Sequence, residues 1–240
     1  MRKSIVIGSF LVLFFIAVGA ASFHSIESSQ ANPQEGAARG AVITGSVVTL
    51  EGRRVAGADV SAMSTQGSRG ILPHTITDPQ GNFSLGGLKA GTYYIEAKKE
   101  SEGYASTLLN FFSDGLAEAP QIEVLENQVV NGVILRFGPK SASLTGRVID
   151  AITKKPIQDA QIILRRADNP KRFYSTGPND PKLYNRFKLL VPPAPFTIEV
   201  KATGYEDWTY SNDGSGKHAD VLRLVSGSEK DLTIALHPVK

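Results

Sequence analysis

The chain has 240 residues, enough for two domains of ordinary size, and its composition of 41% hydrophobic and 20% charged residues is that of a globular protein. Its net charge is +3, but Arg2 and Lys3 supply two of those charges, so the rest is close to neutral and no basic block offers the footprint that nucleic acid needs. The absence of cysteine excludes disulfides, thiolate metal ligands and an acylated lipoprotein cysteine.

In chain order, Arg2 and Lys3 form a positive start to the nearly continuous apolar run Ile5 to Ala21, and Val18, Ala20 and Ala21 offer small residues for a signal peptidase. Residues 1–22 therefore read as a signal peptide. An uncleaved N-terminal anchor is the alternative, because the run is at the short limit for a bilayer, and only then is a membrane a partner. An exported chain without disulfides fits a bacterial envelope better than a eukaryotic secretory route. Residues 23–40, rich in Ser, Gln, Asn, Ala and Gly without periodicity, read as a flexible linker.

From residue 41 the chain repeats itself. Ile43-Thr44-Gly45-Ser46-Val47-Val48 returns as Leu144-Thr145-Gly146-Arg147-Val148-Ile149, and Val55 to Val60 returns as Ile157 to Ile162. Tyr94-Ile95-Glu96-Ala97-Lys98 returns as Thr197-Ile198-Glu199-Val200-Lys201, Gly103-Tyr104 as Gly204-Tyr205, and Ile134 to Pro139 as Thr233 to Pro238. Five blocks in one order, each displaced by about one hundred residues, mark a tandem duplication with units at 41–139 and 140–240. Within a unit, short alternating runs are broken by turn residues, as in an all-β sandwich. Asp78-Pro79-Gln80-Gly81 predicts a turn, and Phe83 and Leu85 after it, two apart, are expected to face the core. Thr92 to Lys98 reads as a strand.

These residues resemble the carboxypeptidase regulatory-like domains. The resemblance rests on Gly45-Ser46-Val47, Val55 to Val60, Thr77-Asp78-Pro79-Gln80-Gly81-Asn82-Phe83, Leu88-Lys89-Ala90-Gly91-Thr92-Tyr93 and Gly103-Tyr104. The second unit departs from it at Asn179-Asp180-Pro181 to Phe187 and at Pro192-Pro193-Ala194-Pro195-Phe196, and is assigned through the internal repeat. The resemblance implies two tandem Greek-key, prealbumin-like (transthyretin-like) β-sandwiches of seven strands, non-catalytic modules that accompany other domains. Fold alone does not establish function.

The chemistry-bearing residues are sparse. His24, His74, His218 and His237 are scattered without metal-ligand spacing, so no metal and no cofactor is expected. Ser84 lacks a nucleophile elbow and reads as an outward strand residue, so no catalytic residue is expected. Asn82-Phe83-Ser84 is a formal glycosylation sequon, relevant only in a eukaryotic host. Gly214-Ser215-Gly216-Lys217-His218 lacks the first Gly and the Ser/Thr of a phosphate loop and reads as a flexible surface loop. Asp78 with Gly81 lacks the further carboxylates of a calcium loop. The first strands, Ile43 to Leu50 and Leu144 to Ala151, hold no Lys for the Lys–Asn crosslink that some related sandwiches form.

Trp208 and Tyr210 stand two apart and share a face, with Asp207 and Asn212 beside them. Such a set either stacks a sugar ring between polar groups or caps the core or packs between the units. Tyr93, Tyr94, Phe111 and Phe112 read as core or turn-packing residues. The expected function is a non-catalytic exported protein using its sandwiches for adhesion, scaffolding or protein–protein contact at the cell envelope. A carbohydrate-binding pair built on Trp208, Tyr210, Asp207 and Asn212, with an envelope polysaccharide as partner, is the alternative. An enzyme or carrier of small hydrophobic ligands would need convergent polar groups in a pocket, which the sequence does not offer.

Overall fold

The computed structural model describes residues 40–67, 72–176, 186–216 and 218–239, all within one compact unit. The expected signal segment and nearly all of the expected linker lie outside the described residues, as do Asn179-Asp180-Pro181. Among the described residues no helix is long and apolar enough to cross a membrane.

The fold is all-β. The first sandwich is built from β1 (Ala41–Val48), β2 (Asp59–Ser64), β3 (His74–Ile76), β4 (Asn82–Leu88), β5 (Gly91–Lys98), β6 (Gln121–Val124) and β7 (Val129–Arg136). Its sheets run β4-β1-β7 and β3-β2-β5-β6. The second consists of β8 (Ala142–Asp150), β9 (Gln161–Arg166), β10 (Asn169–Ser175), β11 (Phe187–Val191), β12 (Pro195–Lys201), β13 (Trp208–Thr209), β14 (Leu222–Arg223) and β15 (Glu229–Leu236). Its sheets run β11-β8-β15 and β10-β9-β12-β13, with β14 also on β12. In both, the first strand is central, antiparallel to the fourth and parallel to the last.

Alternation decides which side of each strand is dry. Phe83, Leu85 and Leu88 of β4 are buried, as are Phe196, Ile198 and Val200 of β12, while Ser84 points outward. The Asp78 turn forms as expected: its carboxylate accepts from the backbone N–H of Gln80 and Asn82 at 2.9 and 2.8 Å, and Gly81 N–H bonds back to Asp78 C=O. These bonds, that to the Asn82 N–H first, hold the Asp78 carboxyl below its usual range.

The repeated Thr-Gly pair has a packing reason. A Cβ on Gly45 would lie 1.9 Å from the Val133 carbonyl oxygen, and one on Gly146 2.2 Å from that of Leu232. The parallel last strand thus runs against a position where no side chain fits. The neighbouring threonines make the same bond in both copies: Thr44 Oγ1 donates to Asn131 Oδ1 at 2.7 Å and Thr145 Oγ1 to Asp231 Oδ1 at 2.8 Å. Each copy also has a buried threonine that accepts an N–H near the start of the second strand, but the bond differs by two residues: Thr77 accepts from Ala58 at 2.8 Å and Thr176 from Ile162, the counterpart of Val60, at 2.9 Å. The likeness of the two sandwiches therefore extends to the Thr44 and Thr145 bonds. The two cores are not confined to their own repeats, however: Phe112, from the first repeat, is packed in the core of the second sandwich.

Candidate functional site

Three regions can carry function: the Trp208 corner, the junction between the sandwiches, and their outer sheet faces.

At the corner, Trp208 pairs with Val200 and Thr209 with Glu199, which extends β12 by a short edge strand. Trp208 and Tyr210 do share a face, and it is the face toward the core. Tyr210 is only 7% exposed, its hydroxyl donating to Asn212 Oδ1 at 3.1 Å, and Lys230 Nζ lies 5.8 Å from its ring centroid. Trp208 is half-buried against the second core. Asp207 is held by Lys201 Nζ at 2.6 Å, and Lys201 also contacts Glu199 at 2.8 Å. The bond to Asp207, then that to Glu199, raises the Lys201 pKa. The Asn212 N–H donates to Asp220 Oδ2 at 2.7 Å. Each of the four residues singled out in the sequence thus has a partner within the protein.

The Gly-rich segment is not a free surface loop. Gly216 lies against the Trp208 ring so closely that a Cβ, already strained by its φ of +70°, would stand 2.3 Å from Cδ1. Its carbonyl accepts from the Thr209 hydroxyl at 3.2 Å, and its N–H donates to Ser211 Oγ at 2.9 Å. Asp213 turns the same loop by accepting from the Ser215 N–H, and this bond leads the effects that bring its pKa to about 2. Gly216 thus covers one edge of the indole, while Gly214 and Ser215 stay at the surface. Sequence spacing found the motif but not its contact, because the ring it meets lies on the far side of a turn.

At the junction, Ser106 caps a 3-10 turn, Thr107–Phe112, by accepting from Leu108 N–H, and its hydroxyl donates to Glu96. Buried Asn110 ties the turn to the first sandwich, donating to the carbonyls of Ala117 at 3.2 Å and Arg136 at 2.9 Å. The turn thereby projects Phe112 into the second sandwich, where it is 1% exposed and meets Phe196 edge-on with centroids 5.1 Å apart. Arg166, 8% exposed, donates to the Phe112 carbonyl at 2.6 Å and also holds the carboxylates of Asp114 and Asp168. Arg172 reaches Asp114 at 3.1 Å. Hydrogen bonds from Arg166 hold both aspartates below the usual carboxylate range. Hollows of 330 and 220 Å³ flank this contact, the first walled by Leu50, Leu116 and Pro193, the second by Leu109, Tyr174 and Leu189. The sequence placed Phe111 and Phe112 as packing residues but gave no sign that Phe112 crosses to the other unit.

The outer faces of the two three-stranded sheets differ in charge. The first presents Val42, Thr44, Ser84, Asn131 and Ile134, the last 61% exposed, with Arg136 and the Arg54 guanidinium on Asn82 at one end. The second presents Arg147, Lys188, Glu229 and Asp231 around Thr145, with Arg186 bonded to Asp231 at 2.6 Å. His74, His218 and His237 are exposed, and among the described residues no three His, Asp or Glu side chains gather where a metal could be held.

Residues 42–128 match the family model described as carboxypeptidase regulatory-like domain. Among solved structures the chain is similar to the TIE protein of Bacillus anthracis, at 14% identity and a TM-score of 0.32, with 84% of this chain and 34% of that one covered. It is similar to the shaft pilin SpaA of Lactobacillus rhamnosus GG, at 10% identity and a TM-score of 0.30, covering 84% and 98%. It is also similar to a leucine-rich repeat protein of Bacteroides thetaiotaomicron, at 9% identity and a TM-score of 0.40, covering 85% and 27%. The chain spans about a third of the length of the TIE protein and 62% of that of a streptococcal ancillary pilin. No curated protein matches the chain.

Proposed function

We propose that the carboxypeptidase regulatory-like sandwich of residues 42–128 and the repeat that follows it form a non-catalytic pair of modules, exported to the cell envelope, that works through contact with another protein. In this reading residues 1–22 direct export, residues 23–40 are a tether, and the modules are 41–139 and 140–240.

The observation that carries the reading is the outer face of the first sandwich. In the middle its strands show Thr44, Ser84, Asn131 and an exposed Ile134, with Arg54 and Arg136 confined to one end, whereas Lys188 and Asp231 stand in the middle of the same face of the second. Interface cores are depleted of charged residues and their rims are polar, which an uncharged centre with arginines at one end matches. Support for the non-catalytic part comes from the carboxylates whose pKa is displaced. Glu51, Asp78, Glu102, Asp114, Asp150, Asp168, Asp213 and Asp231 all spend oxygens on turns, hydroxyls and ion pairs of the fold.

The test is photo-crosslinking in cells, with the reactive residue at Ser84 or Ile134 in the first face and at Arg147 or Thr233 in the second. Adducts to one protein from the first pair alone are expected. Equal labelling from both faces, or none from either, overturns the assignment. Export is tested in the same cells by sequencing the mature N-terminus of the envelope fraction: a new terminus near Ala21 is expected, and chain retained in the cytoplasm removes the envelope role.

A further inference from the structure

The two sandwiches are joined by more than their linker. Between β5 and β6 the first sandwich extends residues 105–118 toward the second, and the anchor at each end is of a different kind. Asn110 fixes the segment to its own sandwich through the Arg136 carbonyl. Phe112 fixes it to the other, buried among Leu164, Phe196 and neighbouring residues of the second core. Arg166 then closes over it, with one guanidinium nitrogen on the Phe112 carbonyl and the same group on the Asp114 carboxylate. The linker is held as well: Ser141 N–H donates to Gly103 C=O of the first sandwich at 2.8 Å, and Ser141 C=O accepts from Gly227 N–H of the second at 3.2 Å.

The receiving surface belongs to the second sandwich alone. In β9 and β12, Arg166 stands opposite Phe196. The repeat places Ser64 opposite Tyr93 at the same point of β2 and β5. The first sandwich therefore has a ring, Tyr93, at the place of Phe196, but a serine in place of the guanidinium that closes over the segment. Nor does the second sandwich offer a copy of the segment itself. After Gly204-Tyr205 its chain forms β13 and returns to its own core through Tyr210.

We propose that residues 105–118 are a strap, with Arg166 as its catch, which holds the two sandwiches in one fixed orientation so that the pair moves as a single body. The coupling has a direction, donor first and acceptor second, and neither end can pass it on to a further copy. It does not depend on what the outer face binds. A fixed orientation keeps that face at a set angle to whatever the second sandwich touches.

The chain has no cysteine, so a spin-label pair at Ser84→Cys and Arg147→Cys, one in each sandwich, reads the distance between them in the full chain without background labelling. A single narrow distance is expected with no other change, and a distribution at least twice as wide in Arg166→Ala. Should Arg166→Ala fail to fold, as read by circular dichroism, Asp114→Arg decides. Asp114 has a 73% exposed side chain whose reversal repels Arg166 without touching either core. A broad distribution in the otherwise unaltered protein overturns the strap. So does a narrow one that persists in a folded Arg166→Ala variant or, where that variant does not fold, in Asp114→Arg.

Discussion

Up to Gly103-Tyr104 and Gly204-Tyr205 the two repeats run in step, and directly after these pairs they part. In the first, Ala105 to Gly115 turns outward and gives its aromatic residue to the neighbouring core; in the second, Glu206 to Gly216 turns back and keeps Trp208 and Tyr210 for its own. The same position of the repeat is thus a connector in the first sandwich and a cover in the second. The sandwich beneath keeps its plan: the parallel closing strand and the Thr–Asn or Thr–Asp bond recur in both.

The largest test of this division is Phe112→Ala. Removing a fully buried phenylalanine costs about 3–5 kcal/mol, and the cavity opens in the second core although the residue belongs to the first repeat. Urea denaturation followed by Trp208 emission should show the second sandwich losing that much stability, whereas Phe111→Ala, half-buried beside it, costs less. An equal loss from both would place the anchor in the wrong ring.

Next in size are the paired glycines. Alanine at Gly146 meets the Leu232 carbonyl and the Phe187 ring, a clash worth about 1–3 kcal/mol where the neighbours are backbone. Alanine at Gly45 meets the corresponding Val133 carbonyl, but there the register of β1 on β7 shifts between Ile43 and Gly45, while β8 on β15 runs without interruption. The irregular strand can give way, so Gly45→Ala is expected to cost less than Gly146→Ala, measured as the shift in urea midpoint at unchanged slope. Gly216→Ala follows, at about 1–2 kcal/mol from positive φ and the indole contact together. It should change Trp208 emission, whereas Gly214→Ala, with open space at its Cβ, should leave emission as it was.

What the sequence reveals and conceals follows the same line. Alternation exposed the buried side of β4 at Phe83 and Leu85, and the Asp78 turn was readable from four residues, because both depend on neighbours in the chain. The repeated blocks exposed the duplication for the same reason. The Trp208–Tyr210 pairing was legible as a shared face, but not which way the face points: period two gives a side and leaves open whether core or solvent lies on it. Phe112 was legible as a packing residue and illegible as a bridge. Its partners, Leu164, Arg166 and Phe196, lie more than fifty residues away, and no local pattern encodes that distance.

The smallest effect is the one that tests the catch without altering the chain. Arg166 stays protonated at every accessible pH, so only the aspartates can release it. Asp114 and Asp168 have pKa values lowered by their bonds to Arg166, with Arg172 adding to the pull on both. A carboxyl whose folded pKa lies below its unfolded one contributes fully above the unfolded value, near 3.8, and loses the contribution as pH falls through the lowered one. Between pH 7 and 5 the spin-label distance should therefore stay narrow; below pH 3.8 it should begin to broaden. Both carboxylates are exposed and screened by solvent, so the change is modest, and Phe112 still holds the sandwiches together after the charges are gone. Asp114→Asn should already broaden the distribution at pH 7 and shrink what acid adds. If acid broadens the distance as much in Asp114→Asn as in the unaltered chain, the ion pair is not the catch, and the aromatic anchor alone sets the angle between the two sandwiches.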